Sequence, residues 1–204
     1  VGLHKAIVYN ASTELRDKYG FLSRSETNVW RRIAKKIIFK PLSALGFVKE
    51  LVRFLDLIFL PDKQYGKIFD KYQPDVVFVA NPLEDADSYV MKQARARGVK
   101  IIAMPKSWDN LPKMSFRVKP DRLLVWGESM VEHAVRYQNI KKQDVKICGS
   151  VQFDFYRKAE LIMPRAKFFE LIGAEPGKAL LVLGSEGKVT PQDPEIAEIV
   201  YNFI

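Results

Sequence analysis

Short runs of β-branched and apolar residues recur along the chain, at 5–9, 75–80, 100–104, 122–126, 145–148 and 179–183. Most are almost continuously apolar instead of alternating, the pattern of strands covered on both faces, so they read as parallel strands. Amphipathic stretches of helical length lie between several of them, at 63–71, 85–97 and 128–137. Gln73-Pro74 breaks the pattern after the first, and Gly98 after the second. Strand and helix in alternation, with short connections, predict a right-handed βαβ series: an α/β, Rossmann-like parallel sheet with helices on both faces. Ligands of such sheets bind beyond the carboxyl ends of the strands. The loops to search are therefore 81–83, 105–113, 127–128 and 149–154.

Residues 155–173 read as a helix and 174–178 as a turn. A further strand at 179–183 leads into Gly184-Ser185-Glu186-Gly187-Lys188 and then Asp193-Pro194, a helix start with Asp at the cap and Pro in the first turn. The chain stops at Ile204 in mid-pattern. The expectation is a fragment of a longer two-domain protein: a first domain over 1–156, a connecting helix and linker over 157–178, and the start of a second Rossmann-like domain over 179–204.

Upstream, 29–40 carry Trp30, Ile33, Ala34, Ile37 and Ile38 on one helical face and Arg31, Arg32, Lys35, Lys36 and Lys40 on the other. A second stretch places Phe47, Leu51, Phe54, Leu55 and Ile58 on one side, with Lys49, Glu50, Arg53 and Asp56 opposite. Both read as helices covering the sheet with solvated charges. The first also reads as an interfacial element whose cations meet anionic lipid.

Composition narrows the class. Of 204 residues, 48% are apolar and 12% aromatic, enough for a packed core. A lone cysteine, Cys148, cannot pair within the chain, and with only two histidines no Cys/His zinc cage forms. No apolar run is long enough to span a bilayer, and the first residues carry no signal-peptide pattern, so a cytoplasmic protein is expected, peripheral on the inner face of the plasma membrane if 29–40 meets lipid. The net charge of +9 sits in the first half: residues 1–60 hold 11 Lys/Arg against 5 Asp/Glu, and residues 121–204 hold 11 against 12. Such a surface attracts phosphates. No nucleic-acid-binding motif is present, and no nucleic-acid partner is expected.

The densest chemistry is Lys106-Ser107-Trp108-Asp109-Asn110-Leu111-Pro112-Lys113, after the strand at 100–104. A hydroxyl, an indole, a carboxylate, an amide and ammonium groups there suit a polyol or phosphorylated acceptor, or simply hold a turn plugged by Trp108. Asp85-Ala86-Asp87 has the spelling of a nucleotide-metal site but sits at a helix start, where acidic residues answer the dipole, and no metal site is assigned. The loop 184–188 lacks the leading Gly and trailing Ser or Thr of a P-loop. It still offers backbone amides and Lys188 to a phosphate. Asp154 either caps a helix or faces a cleft. His4 and His133 read as ordinary surface or core histidines, and Cys148 as core packing.

Lys71-Tyr72-Gln73-Pro74-Asp75-Val76-Val77, Ser107-Trp108-Asp109-Asn110, the run from Lys119 to Glu128, and Gly149-Ser150-Val151-Gln152-Phe153-Asp154 together resemble a known group. They look like the N-terminal half of bacterial surface-carbohydrate enzymes of the GT-B architecture. They resemble CDP-glycerol glycerophosphotransferase-like proteins and, more distantly, hydrolysing UDP-N-acetylglucosamine 2-epimerases. The resemblance covers 65–200, and its Ser-Trp-Asp-Asn block is the most specific part. It implies two Rossmann-like domains across a cleft, no bound cofactor or catalytic metal, and a nucleotide-sugar or CDP-glycerol donor. The acceptor would be lipid-linked or a glycan. By position, Ser107, Trp108, Asn110, Lys113 and Asp154 would bind the acceptor, with Asp109 near its reacting hydroxyl. Ser185, Glu186, Gly187 and Lys188 would approach the donor phosphates. An epimerase of the same architecture and a non-catalytic Rossmann-like binding domain remain the alternatives.

Overall fold

The computed structural model describes residues 8, 37–38, 40–61, 64–185 and 192–203. They fall into two compact units, Val1–Val151 and Gln152–Ile204. Of the expected strand at 5–9 only Val8 is described, and it is buried. The residues Trp30, Arg31, Arg32, Lys35 and Lys36 of the basic segment lie outside the described residues, as do Glu186, Gly187 and Lys188.

The first unit is built on four strands: β1 (Val76–Val79), β2 (Lys100–Ala103), β3 (Arg122–Val125) and β4 (Val145–Ile147). All pair in parallel, in the order β1-β2-β3-β4. The register aligns Val79 with Ala103, Ala103 with Leu123 and Leu123 with Val145, so one face of the sheet carries a continuous row of small and branched side chains. Helices α1 (Gly46–Phe59) and α2 (Gly66–Tyr72) precede β1, α3 (Asp85–Ala96) joins β1 to β2, and α4 (Glu128–Gln138) joins β3 to β4. Met91 and Ala94 of α3 and Met130, Val131 and Ala134 of α4 close over that row as the core.

Helices were expected on both faces. With neighbouring strands consecutive in sequence, right-handed crossovers carry every connection to the same side, and α3 and α4 share one face. On the other face Val76 and Phe78 are exposed and Ile102 and Leu124 half-buried. No reversal of strand order occurs among the described strands.

The crossover from β2 to β3 contains no helix. Residues 104–121 are irregular, yet Leu111, Met114, Ser115, Phe116, Arg117 and Val118 are buried. A buried irregular segment cannot satisfy its own backbone polar groups and needs partners from elsewhere.

Helix α1 supplies some of them, which inverts the orientation its pattern predicts. Lys49 and Arg53 are only 3% and 6% exposed and Asp56 is buried too, whereas Phe47 and Phe54 are 66% and 59% exposed, with Leu51, Leu55 and Ile58 also outside. Segregating polar from apolar positions is what an amphipathic helix does; which side faces inward depends on what lies beneath.

In the second unit the expected helix over 155–173 is divided into 3-10 turns at Val151–Arg157 and Ala159–Leu161 and the helix α5 (Arg165–Ile172). Pro164 stands at the cap of α5, and a proline disfavours helical backbone in the residue before it. The expected strand at 179–183 is an exposed, unpaired stretch, since nothing described in this unit offers it a ladder partner. Helix α6 (Asp193–Phe203) follows. Among the described residues of this unit Phe169 is the buried hydrophobic side chain, with the Arg165 guanidinium 4.1 Å from its ring centroid.

Candidate functional site

The chain leaves β2 with Met104 N–H still bonded to the Val79 carbonyl at 2.8 Å, so the loop that follows starts at the carboxyl edge of the sheet. It turns at once. Asn110 N–H donates to the Ser107 carbonyl at 3.2 Å, and Asn110 Oδ1 accepts from Ser107 N–H at 2.8 Å. Asn110 thus spends its side-chain oxygen closing the turn. One helical turn later the Lys113 ammonium reaches Asp109 Oδ2 at 2.7 Å. Ser107, Asp109, Asn110 and Lys113 therefore come together, while the indole of Trp108 projects outward, 64% exposed.

Asp109 is held in its charged form. Burial works against the charge, but the Lys113 ammonium and the Ser107 hydroxyl outweigh it, and the carboxyl sits below its ordinary value. Its second oxygen, Oδ1, is buried and has no hydrogen-bond partner. A depressed, ion-paired carboxylate is a weak base at neutral pH, but it can accept a hydrogen bond from a hydroxyl.

Beneath this turn the loop is locked. Gln138, fully buried at the end of α4, donates from Nε2 to the carbonyls of Leu111 at 2.6 Å and Met114 at 2.8 Å, and its Oε1 accepts from Phe116 N–H at 2.8 Å. From the other side Arg53 donates to the Phe116 carbonyl at 3.0 Å, to Ser115 Oγ at 2.9 Å and to the Gln138 carbonyl at 2.9 Å, while Glu50 pairs with it at 2.8 Å. These side chains supply the bonds that irregular backbone lacks.

A second buried cluster continues along α1. Asp56 receives Lys92 of α3 at 3.0 Å and Arg117 of the loop at 3.1 Å. Burial would raise its carboxyl, but bonding to Arg117 and Lys92 holds it below the ordinary value. Lys92 also donates to the Leu60 carbonyl at 2.7 Å, a group that the end of α1 leaves open, and at 3.2 Å to the Asp56 carbonyl, which accepts from Leu60 N–H as well. At the opposite end, Asn139 adopts the left-handed backbone that ends α4 (φ 55°) and donates to the Gly46 carbonyl at 2.7 Å. Lys49 donates to the Arg136 carbonyl at 3.0 Å, and Lys119 pairs with Glu50 at 2.8 Å.

The remaining sequence candidates separate. Asp85 accepts from Arg117 at 3.2 Å and Asp87 from Asn81 N–H at 2.8 Å, so the two carboxylates serve different partners. No cluster of metal-ligating residues occurs among the described residues. In the second unit Asp154 is exposed in a 3-10 turn, and the Ser185 hydroxyl donates to Asp193 at the start of α6. Lys40 is exposed in a helical stretch at 40–44. His133 is half-buried beside Tyr137, its Nδ1 unpartnered. Cys148, expected in the core, is exposed, because β4 is an edge strand and ends at Ile147. Among the described residues no helix is long and apolar enough to cross a membrane.

What sequence reasoning missed is the polar seam of Arg53, Asp56, Lys92, Arg117 and Gln138. A signal existed: Ser88 and Lys92 sit one turn apart beside the core residue Met91, and Arg117 stands between Phe116 and Val118. No protein-family model, curated protein or solved structure matches this chain.

Proposed function

We propose that this chain is the acceptor-holding part of a GT-B-type glycosyltransferase or glycerophosphotransferase of bacterial surface polysaccharide or glycolipid synthesis. The observation that carries the reading is the turn at 107–113. An exposed indole stands beside a hydroxyl and an ion-paired carboxylate and ammonium, at the carboxyl edge of a parallel sheet, where α/β proteins bind ligands. A sugar ring or glycerol chain stacks on Trp108, and Lys113 meets an acceptor phosphate. Asp109 accepts a hydrogen bond from the acceptor hydroxyl and orients its oxygen for attack. In transfer, that oxygen bonds to the donor's anomeric carbon or phosphorus, the bond to the departing nucleotide breaks, and the hydroxyl proton leaves to a base. On the donor side the reading assigns Ser185, Glu186, Gly187 and Lys188, and it counts Asp154 among the acceptor-binding residues.

Titration with glycerol 3-phosphate and with short glycans, read by NMR shifts of the Trp108 indole, tests the acceptor half. Saturable shifts that vanish in Lys113→Ala are expected, and no shift with any phosphorylated polyol or glycan defeats the reading. A second reading, a binding domain without catalysis, is favoured by Asp109 being already paired with Lys113. Turnover of CDP-glycerol or a nucleotide sugar by the full-length protein, lost in Asp109→Asn, discriminates against it.

A further inference from the structure

We infer that Gln138 is a positioning residue for the acceptor turn: by holding the backbone on both sides of Lys113 it presets the pairing of that ammonium with Asp109. The inference deepens the acceptor reading and rests on it for the ligand, while the link from Gln138 to the ion pair rests on geometry alone.

Residues 107–113 form two successive turns, closed by Asn110 N–H on the Ser107 carbonyl and by Lys113 N–H on the Asn110 carbonyl. No α-helical repeat runs through them to bring side chains four positions apart into contact. Lys113 is exposed, and its ammonium rides on a flexible four-carbon stem with rotamer freedom to lose. Its contact with Asp109 at 2.7 Å therefore depends on where the Lys113 backbone is held.

Gln138 supplies that hold. It is fully buried, and its side-chain nitrogen donates to the carbonyls of Leu111 and Met114 at 2.6 and 2.8 Å, which engages both N–H groups. Those two residues bracket Lys113 and Pro112, and the proline ring fixes its own backbone angle. The side-chain oxygen accepts from Phe116 N–H at 2.8 Å and from Arg53 at 3.4 Å, so both faces of the amide are in use. A side chain of this length with two donors and an acceptor on one plane is what the set requires. The anchor itself does not drift. Arg53 donates to the Gln138 carbonyl at 2.9 Å, and Asn139, next in the chain, is bonded to the Gly46 carbonyl at 2.7 Å. Asp109 lies ahead of the bracketed stretch, so Gln138 acts on the pair from the Lys113 side.

The test reads the Asp109 carboxyl carbon by NMR titration of the 204-residue chain without any ligand. Gln138→Met keeps the length and loses every bond; Gln138→Glu loses both donors and keeps an acceptor for Phe116 N–H. Ser115→Ala is the control, since it removes a buried bond from Arg53 in the same crossover but none of those that bracket Lys113. In variants that keep a folded amide spectrum, both Gln138 substitutions should let the Asp109 carboxyl rise part of the way to where Lys113→Ala leaves it, and Ser115→Ala should leave it in place. An Asp109 titration unmoved by both Gln138 variants, or moved equally by Ser115→Ala, overturns the proposal. If neither Gln138 variant folds, the unaltered chain decides: a preset contact pair keeps its shift in about 0.5 M salt, and a carboxyl that returns there to its ordinary value overturns the proposal. Glycerol 3-phosphate, followed by the Trp108 indole, should bind the Gln138 variants about fivefold more weakly, equivalent to about one hydrogen bond. Undiminished binding overturns the proposal as well. Failure of the unaltered chain to bind any phosphorylated polyol defeats the acceptor reading instead, and the ligand-free Asp109 titration still decides the role of Gln138.

Discussion

The turn at 107–113 and the inner side of α1 use the same kinds of side chain in opposite settings. In the turn, Asp109 and Lys113 pair at 2.7 Å with both side chains more than a third exposed, and the bonds around them are local in sequence. On α1, Asp56 pairs with Lys92 and Arg117 at similar distances, but all of these groups are buried and come from three separate segments. Exposed, such a pair adds little to stability and is free to meet a ligand. Buried, it is costly to break, and it fixes how a helix and an irregular crossover fit together.

The sharpest way to break this contrast is Asp56→Ala, which leaves Lys92 and Arg117 buried without their carboxylate. We expect a loss of about 3–5 kcal/mol in urea unfolding. Because Asp56 titrates below its unfolded value, its contribution is complete above pH about 4 and fades as the pH falls through the lower folded value. Asp56→Asn should therefore flatten the acid limb of the stability profile. Next in size is Gln138→Ala, which orphans the Leu111 and Met114 carbonyls and Phe116 N–H. A loss of about 2–3 kcal/mol is expected, with faster amide exchange across 111–118. Lys113→Ala should do least to the fold, under about 0.5 kcal/mol. It should also let the Asp109 carboxyl rise toward its ordinary value, as a carboxyl-carbon NMR titration would show. A large stability loss in this last variant would erase the distinction between the two regions.

The strands were legible because a run such as Asp75 to Ala80 or Arg122 to Trp126 is apolar on both sides, and breakers at Pro74 and Gly98 marked the helix ends. The chemistry-rich turn was legible because its residues are neighbours in sequence. The orientation of α1 was not. Periodicity measures how well polar and apolar positions separate, and the side that faces inward was decided by residues 111–118, whose unmet backbone groups outbid Phe47 and Phe54 for contact with the helix. That demand is visible only once the crossover is known to lack a helix. The same holds for residues 179–183: an apolar run becomes a strand only beside another strand.

Attachment at both ends has a mechanical consequence for α1. Asn139 grips it at Gly46 and Lys92 at Leu60, so the helix behaves as a plate bolted to the domain rather than as a lever on a hinge. A body settling on its outer side meets a shape already set and has little disorder to remove before contact. Arg53 ties the same helix to the crossover that carries Trp108.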